Sequence, residues 1–227
     1  KPELWQRTEQ MVRDVLVIVG YPGRREGRLW NLAGALFDGE WLGEYAKQAL
    51  PNYEVFDEQR YFARGSEPLV IEHRGAKLGL LICEDLWEEA PARQAKEAGA
   101  EILISLNASP FHQDKPAERL RLLEERAAAV ALPIVYVNQI GGQDELVFDG
   151  GSACVDAAGE LVVQAPHWAV GVMPVQFIHQ QGAWVPQAGE TEPDVTPEEN
   201  LYCALVTGLR DYVNKRGFEG VVLGLSG

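Results

Sequence analysis

Short apolar runs separated by charged or turn-forming residues recur along this chain: DVLVIVG (14–20), LWNLAGALF (29–37), LVIEH (69–73), KLGLLIC (77–83), EILISLN (101–107), PIVYVN (133–138) and SACVDAAGELVVQA (152–165). Their length and their Val, Ile and Leu content read as buried strands. Two helical patterns lie between them. Pro91 to Ala98 reads as a short helix with proline in its first turn, and Pro116 to Ala131 puts Leu120, Leu123, Ala127 and Val130 on one stripe. Asp38-Gly39 and Ala158-Gly159 mark hairpin turns. Hairpins followed by alternating strand and helix predict an α/β layered fold with a mixed sheet, without internal repeats.

The period disappears from His179 to Asp194 (HQQGAWVPQAGETEPD), which reads as a linker or surface loop. A helix then starts at a capping box, Thr196-Pro197-Glu198-Glu199, carries Leu201, Leu205, Leu209 and Tyr212 as its apolar stripe, and ends at Gly217. The strand-like VVLGL (221–225) and a Ser-Gly turn follow, as at the opening of a second α/β domain. The expected organisation is a first domain over 1–178, a linker over 179–195 and the beginning of another domain over 196–227.

With 227 residues, 46% of them hydrophobic, the chain can bury one substantial core. Its apolar runs, such as Val15–Val19 and Leu78–Cys83, fall far short of the roughly 20 residues that cross a bilayer, so no membrane association is expected. A formal charge of −14 without a Lys/Arg block argues against nucleic acid as a partner and suits small neutral or zwitterionic ligands. The three cysteines form no CxxC pair, which points to a reducing cytoplasm rather than a disulfide framework, and no His/Cys/carboxylate group has metal-ligand spacing.

Chemistry enters at GLLICEDLWEEA (79–90), where an apolar strand delivers Cys83 directly before Glu84, Asp85, Glu88 and Glu89. Functional side chains emerge at the carboxyl ends of strands in α/β sheets, and free N–H groups at such a turn favour a thiolate and hold an oxyanion. Against this, free cysteine is among the most buried residue types, and neighbouring carboxylates oppose its ionisation. None of His73, His112, His167 and His179 has a setting that marks it as the base of a Cys-His pair. The other unusual passage, YAKQALPNYEVFDEQRYF (45–62), sets a lone Lys47 before Tyr53, Phe56, Tyr61 and Phe62 interleaved with Asp57, Glu58 and Arg60. It reads as a pocket wall or an interface, with a snorkelling surface lysine as the plain alternative.

Read together, KQALPNYEVFDEQRYF (47–62), GLLICEDLWEE (79–89), LISLNASPF (103–111) and VNQIGGQDELVFDGGS (137–152) closely resemble the carbon–nitrogen hydrolase (nitrilase) family. Within it they are most similar to the amino-terminal glutaminase domains of bacterial glutamine-dependent NAD synthetases, over about residues 12–175. The resemblance implies a four-layer αββα sandwich, here without its first strand or strands, and a Glu-Lys-Cys triad. Cys83 matches the nucleophile that forms a thioester with glutamine as ammonia leaves. Lys47 matches the lysine whose ammonium sits near the developing oxyanion, and Glu58 the second glutamate that holds it. Tyr53, Glu84 and Ser109 match residues that contact bound glutamine, with the N–H of Glu84 as a further oxyanion donor. Asn107–Pro110 is equally readable as a capped strand-to-helix turn. Gly141-Gly142 and Gly150-Gly151 read as turns that approach the site, with Asp149 fixing the second.

An ammonium about 4 Å from the sulfur is worth several kcal/mol in a partly buried site, enough to outweigh carboxylates that face solvent. Lys47 is therefore expected to answer the acids around Cys83. The triad's general base is expected upstream of residue 1; the PEL of KPELWQ, containing Glu3, is a chance echo of its motif, and the chain by itself is expected to be inactive.

LGLSG (223–227) resembles the first half of a pyrophosphate-binding loop, which gives Ser226 and Gly227 a nucleotide-binding expectation. The resemblance thus implies a glutaminase that supplies ammonia, through a tunnel, for ATP-dependent amidation of deamido-NAD. No cofactor is expected in the glutaminase domain, while ATP and Mg2+ belong to the synthetase domain. A homo-oligomer is implied, with Trp5, Trp168 and Trp184 as contact or core residues. A stand-alone amidase and a non-catalytic assembly domain of the same fold are the alternatives.

Overall fold

The computed structural model describes residues 13–191 and 195–225. Three antiparallel strands, β1 (Leu16–Arg25), β2 (Arg28–Phe37) and β3 (Glu40–Ala46), form a small sheet in the order β1-β2-β3. A larger sheet has the order β11-β10-β7-β6-β5-β4. Its centre, β5 (Ala76–Ile82), β6 (Ile102–Asn107) and β7 (Ile134–Asn138), is parallel. Its flanks, β4 (Val70–His73), β10 (Ala153–Val155) and β11 (Leu161–Gln164), are antiparallel. This is a mixed α/β fold built on two sheets.

The runs at 69–73, 77–83, 101–107, 133–138 and 152–165 become strands of the large sheet, whose centre is covered on both faces. LWNLAGALF becomes β2 of the small sheet, and DVLVIVG, expected to be buried, enters β1, which contains no fully buried residue. Ala33, Ala35 and Tyr45 of the small sheet join one continuous core with Leu80, Leu81 and Ile82 of β5. The same core takes in Ala92 and Ala95 of α2 (Glu89–Glu97), and Leu123, Ala127 and Val130 of α3 (Lys115–Val130). At Gly79 a Cβ would come within 2.8 Å of the Ala100 Cβ and 3.2 Å of the Ala95 Cβ, so glycine lets the strand approach this layer closely.

Two readings change. The 179–194 stretch is not wholly irregular: β12 (Phe177–Gln180) and β13 (Ala183–Pro186) pair antiparallel about Gln181-Gly182, residues 192–194 lying outside the described residues. The polar sequence hid it because a two-stranded ribbon has no buried face to impose alternation.

The second concerns α4 (Pro197–Arg216). It begins and ends as its caps predict, with Thr196 accepting from the Glu199 N–H at 3.2 Å and Gly217 at φ 72°. Its leucine stripe, however, faces solvent: Leu205 is 67% exposed, and Leu201, Leu209 and Tyr212 are also exposed. The inward face is Asn200, Ala204 and Thr207. It lies on the hairpin of β8 (Ile140–Gln143) and β9 (Leu146–Asp149), where a Cβ on Gly142 would sit 3.2 Å from the Gly208 Cα. So close an approach admits small residues, and polar bonds fasten it: Asp211 accepts from the Gly142 N–H at 2.8 Å and Lys215 donates to the Gly142 carbonyl at 2.6 Å.

Candidate active site

Lys47 follows directly on β3, and its backbone is held from both sides: its N–H donates to the Asn31 carbonyl at 2.9 Å and its carbonyl accepts from the Gly65 N–H at 2.8 Å. Gly65 is needed there, since a Cβ would fall 2.1 Å from the Ala46 carbonyl oxygen. The side chain is only 2% exposed, and its ammonium donates to both carboxylate oxygens of Glu58 at 2.8 Å. Glu58 opens the four-residue helix α1 (Glu58–Tyr61), and its N–H donates to the Pro51 carbonyl at 3.1 Å. A buried ammonium requires such a partner. The snorkelling-lysine alternative is thereby removed.

Cys83 stands where β5 gives way to a 3-10 turn, Cys83–Leu86. Its φ of 46° lies in the left-handed region that a non-glycine residue occupies at a cost of about 1–3 kcal/mol. The strained residue lies at the carboxyl end of a central strand, a position typical of functional groups. Lys47 is close enough for its charge to favour the thiolate, and the Ala108 N–H, in the loop after β6, acts in the same sense. The structure thus brings together Cys83, Lys47, Glu58 and the Asn107–Ser109 loop.

Tyr53 and Glu84 meet as well: the Tyr53 hydroxyl donates to the Glu84 carboxylate at 2.8 Å. They line a cleft of about 430 Å³ together with Gln48, Gln59, Arg64 and Glu88. Ser109 is buried, its N–H donating to the Asn138 side-chain oxygen at 3.0 Å. Another cavity, of about 560 Å³, lies along β7 and the 165–175 segment; Gly150 and Gly151 line it, and Cys83, Lys47, Glu58, Tyr53, Glu84 and Ser109 do not. Ser226, Gly227, Glu3 and Trp5 fall outside the described residues.

The expected electrostatic balance is corrected. Burial is the largest influence on the Cys83 thiol, Lys47 opposes it, and Glu84 and Glu58 add to it; the thiol is pushed up to about 11. The reason is burial first, with the neighbouring carboxylates behind it. Taking the sulfur out of water outweighs the favourable Lys47 ammonium, and the carboxylates of Glu84 and then Glu58, to which the ammonium is paired, oppose ionisation further. Alkylation of Cys83 by iodoacetamide, followed by peptide mass spectrometry, is therefore expected to rise with pH through a midpoint near 11, against about 9 for an unperturbed thiol. A midpoint at or below 9 would contradict this balance.

The acids also do not all face solvent. Asp85 is 0% exposed. Its carboxylate accepts from the N–H groups of Gln48 (3.0 Å) and Ala49 (2.7 Å) on one oxygen, and from the Tyr45 hydroxyl (2.8 Å) and the Ile82 N–H (2.9 Å) on the other. Burial nevertheless holds its carboxyl above the usual range, against these donors. The sequence carried no signal for this role, because the donors come from residues up to 40 positions away.

A second buried cluster sits at the end of β9. Arg119 binds both oxygens of Asp149 at 2.6 and 2.5 Å, and His167 Nδ1 lies 3.0 Å from the same carboxylate. Arg119 also donates to the Gly150 carbonyl at 3.1 Å, which accepts in addition from the Asn138 side chain at 2.9 Å. Since Asn138 holds Ser109, the turn that Asp149 was expected to fix is tied to the loop beside Cys83. The phenol of Tyr136 lies between the two groups, raised chiefly by burial, then by Cys83, and lowered by Arg119 and Ser109.

The carbon-nitrogen hydrolase family model matches residues 7–180 of this chain. The glutamine-dependent NAD(+) synthetase of Acinetobacter baylyi is 40% identical over 95% of this chain and 40% of its own length. That of Thermotoga maritima is 39% identical over 94% of this chain and 42% of its own. Among solved structures, the glutamine-dependent NAD+ synthetase of Acinetobacter baumannii, determined with adenosine diphosphate, superposes with a TM-score of 0.90 at 38% identity, covering 96% of this chain and 41% of that one. An amidase from Nesterenkonia, whose structure carries acrylamide added to the active-site cysteine, gives a TM-score of 0.63 at 28% identity, over 71% of this chain and 64% of that one. The chain thus spans about two fifths of the length of the curated relatives it matches. With the matched region covering both sheets, the strained Cys83 and the buried Lys47, this chain belongs to the carbon–nitrogen hydrolase family.

Proposed function

We propose that this chain is the glutamine-hydrolysing portion of a glutamine-dependent NAD synthetase. The observation that carries the reading is the buried Lys47–Glu58 pair beside a cysteine held in a left-handed turn at a strand end. The Cys83 thiolate attacks the side-chain amide carbon of glutamine, and the tetrahedral oxyanion that forms draws on the Lys47 ammonium and the Glu84 N–H. The general base that takes the thiol proton returns it to the amide nitrogen, so that collapse expels ammonia and leaves a glutamyl thioester; water then cleaves the thioester to glutamate and the free thiol. Glu58 holds and aims the lysine side chain. Tyr53 and Glu84 contact the bound glutamine, and Ser109 is assigned to its α-amino or carboxylate end.

The general base belongs to a glutamate outside the described residues, and none of the residues 13–191 or 195–225 is given that role. The similarity to glutamine-dependent NAD(+) synthetases supports a role for this chain in NAD synthesis; in this proposal the ammonia amidates deamido-NAD with ATP and Mg2+ in a synthetase domain, to which residues 196–227 lead after the first domain and linker. Ser226 and Gly227 retain their nucleotide-binding assignment as part of this proposal. Among the described residues there is no group of three or more His, Cys, Asp or Glu side chains that could hold a metal, and no step above passes through one. A cytoplasmic homo-oligomer completes the reading; no described helix is long and apolar enough to cross a membrane.

The stand-alone amidase is the weaker reading, since the amidase superposes at 0.63 over 71% of the chain and the synthetase at 0.90 over 96%. Trapping separates catalysis from a purely structural role. The full-length gene product, given glutamine and hydroxylamine, is expected to release glutamyl hydroxamate and to show a glutamyl adduct on the peptide containing Cys83. No hydroxamate and no adduct would leave the domain as an assembly scaffold.

A further inference from the structure

We propose that Asp85 is the positioning residue that holds the Lys47 segment and the Cys83 turn in one frame, so that the ammonium is kept within reach of the sulfur. The inference rests on the assignment of Lys47 and Cys83 above.

Its basis is the geometry of one carboxylate. Oδ1 accepts from the N–H groups of Gln48 and Ala49, the two residues after Lys47; Oδ2 accepts from the N–H of Ile82, the residue before Cys83, and from the hydroxyl of Tyr45, two residues before Lys47. Three of the four donors therefore flank Lys47 on both sides, and the fourth directly precedes Cys83. The strand end that carries Lys47 has no ladder bond to β5, because the two belong to different sheets. A wholly buried carboxylate bridging them supplies the link that sheet pairing does not.

Only an anion fits the position well. Two carboxylate oxygens can each accept two hydrogen bonds, whereas an asparagine amide presents one oxygen and sets an N–H₂ against two of the donors. Burying the charge is costly, and the cost is tolerable because every lone-pair direction in use meets a donor. Asp85 acts through the placement of Lys47, without touching substrate.

The test is the rate at which iodoacetamide modifies Cys83 in the intact chain at pH 9, read by peptide mass spectrometry for wild type, Lys47→Met, Asp85→Asn and the double variant. Removing the ammonium in Lys47→Met is expected to slow modification about tenfold, the effect of losing one nearby opposite charge. Asp85→Asn is expected to slow it about threefold or more, and the double variant to be no slower than Lys47→Met, because both changes remove the same interaction. A merely structural role gives the opposite sign: loosening the site would hydrate the thiol and speed modification, and so would the loss of a negative charge felt directly at the sulfur. Faster or unchanged modification in Asp85→Asn, with Lys47→Met slowed, would overturn the positioning role alone. An unchanged rate in Lys47→Met would overturn the assignment beneath it, and this proposal with it. Should Asp85→Asn fail to fold, Tyr45→Phe removes a single donor and is expected to slow modification about twofold in the same direction, a rate at or above wild type refuting the proposal.

Discussion

Replacing Cys83 with alanine is expected to abolish glutamine-driven NAD formation in the full-length gene product, by about 10⁴-fold or more, while synthesis from added ammonia persists. The size follows from the chemistry: without the sulfur no thioester can form, and what remains of the site binds glutamine without splitting its hydrolysis into two easier steps. The split follows from the location of the change. Cys83 lies at the carboxyl end of β5, in a turn of four residues. Alanine keeps the backbone there, so the substitution removes reactivity with little disturbance to the core. The measurement is paired initial rates with glutamine and with an ammonium salt. Equal loss of both would show that glutamine hydrolysis and ammonia use are not divided between two sites, and would end the proposed function. Retention of the glutamine-driven rate would end the nucleophile assignment.

Arg119→Ala is expected to give the largest loss of stability, about 3–5 kcal/mol, the usual consequence of leaving one partner of a buried ion pair uncompensated. Arg119 is 4% exposed and Asp149 0%, and the guanidinium satisfies both oxygens of the carboxylate while also holding the Gly150 carbonyl. Urea unfolding would read the change. Replacing both partners, as Arg119→Met with Asp149→Leu, should cost less than Arg119→Ala alone, since no charge is left stranded.

The pH dependence has a definite sign. Burial pushes the Asp149 carboxyl up, but the His167 hydrogen bond and Arg119 together hold it below its ordinary value of 3.8. A carboxyl depressed on folding contributes stability that is fully present above its unfolded value, about 3.9, and is lost as pH falls towards the folded one. Wild-type stability should therefore decline below about pH 4 more steeply than that of the Arg119→Ala variant. Equal slopes would show that Asp149 is not held by this pairing. Because Asn138 joins the Gly150 carbonyl to the Ser109 N–H, a loosened Asp149 cluster should also weaken glutamine binding, raising KM.

Much of the scaffold was legible in one dimension. Runs buried on both faces must be apolar throughout, so the central strands declared themselves, and both caps of α4 could be named because capping is local chemistry. The orientation of α4 was not legible. A leucine stripe normally points to the core, yet the neighbour here is a glycine-bearing hairpin so close that Ala204, Thr207 and Gly208 fit and leucine would not. The hairpin at 177–186 escaped for a related reason, having no buried face to print a period.

At the site the division is sharper. The sequence by itself determined the reactive types and their order: a cysteine closing an apolar strand, a lone lysine in an aromatic passage, a glutamate 11 residues beyond it. These are properties of segments, and segments can be read. Which acid turns inward, how the ammonium divides its charge between Glu58 and the sulfur, and whether the thiol ionises easily were decided only by the tertiary structure. Coulomb energy depends on separation in space and desolvation on everything packed nearby, and neither is a function of distance along the chain. Asp85 stands next to Glu84 in sequence, but only the fold carried the donors of Tyr45, Gln48 and Ala49 to it and left Glu84 beside Tyr53 at the cleft.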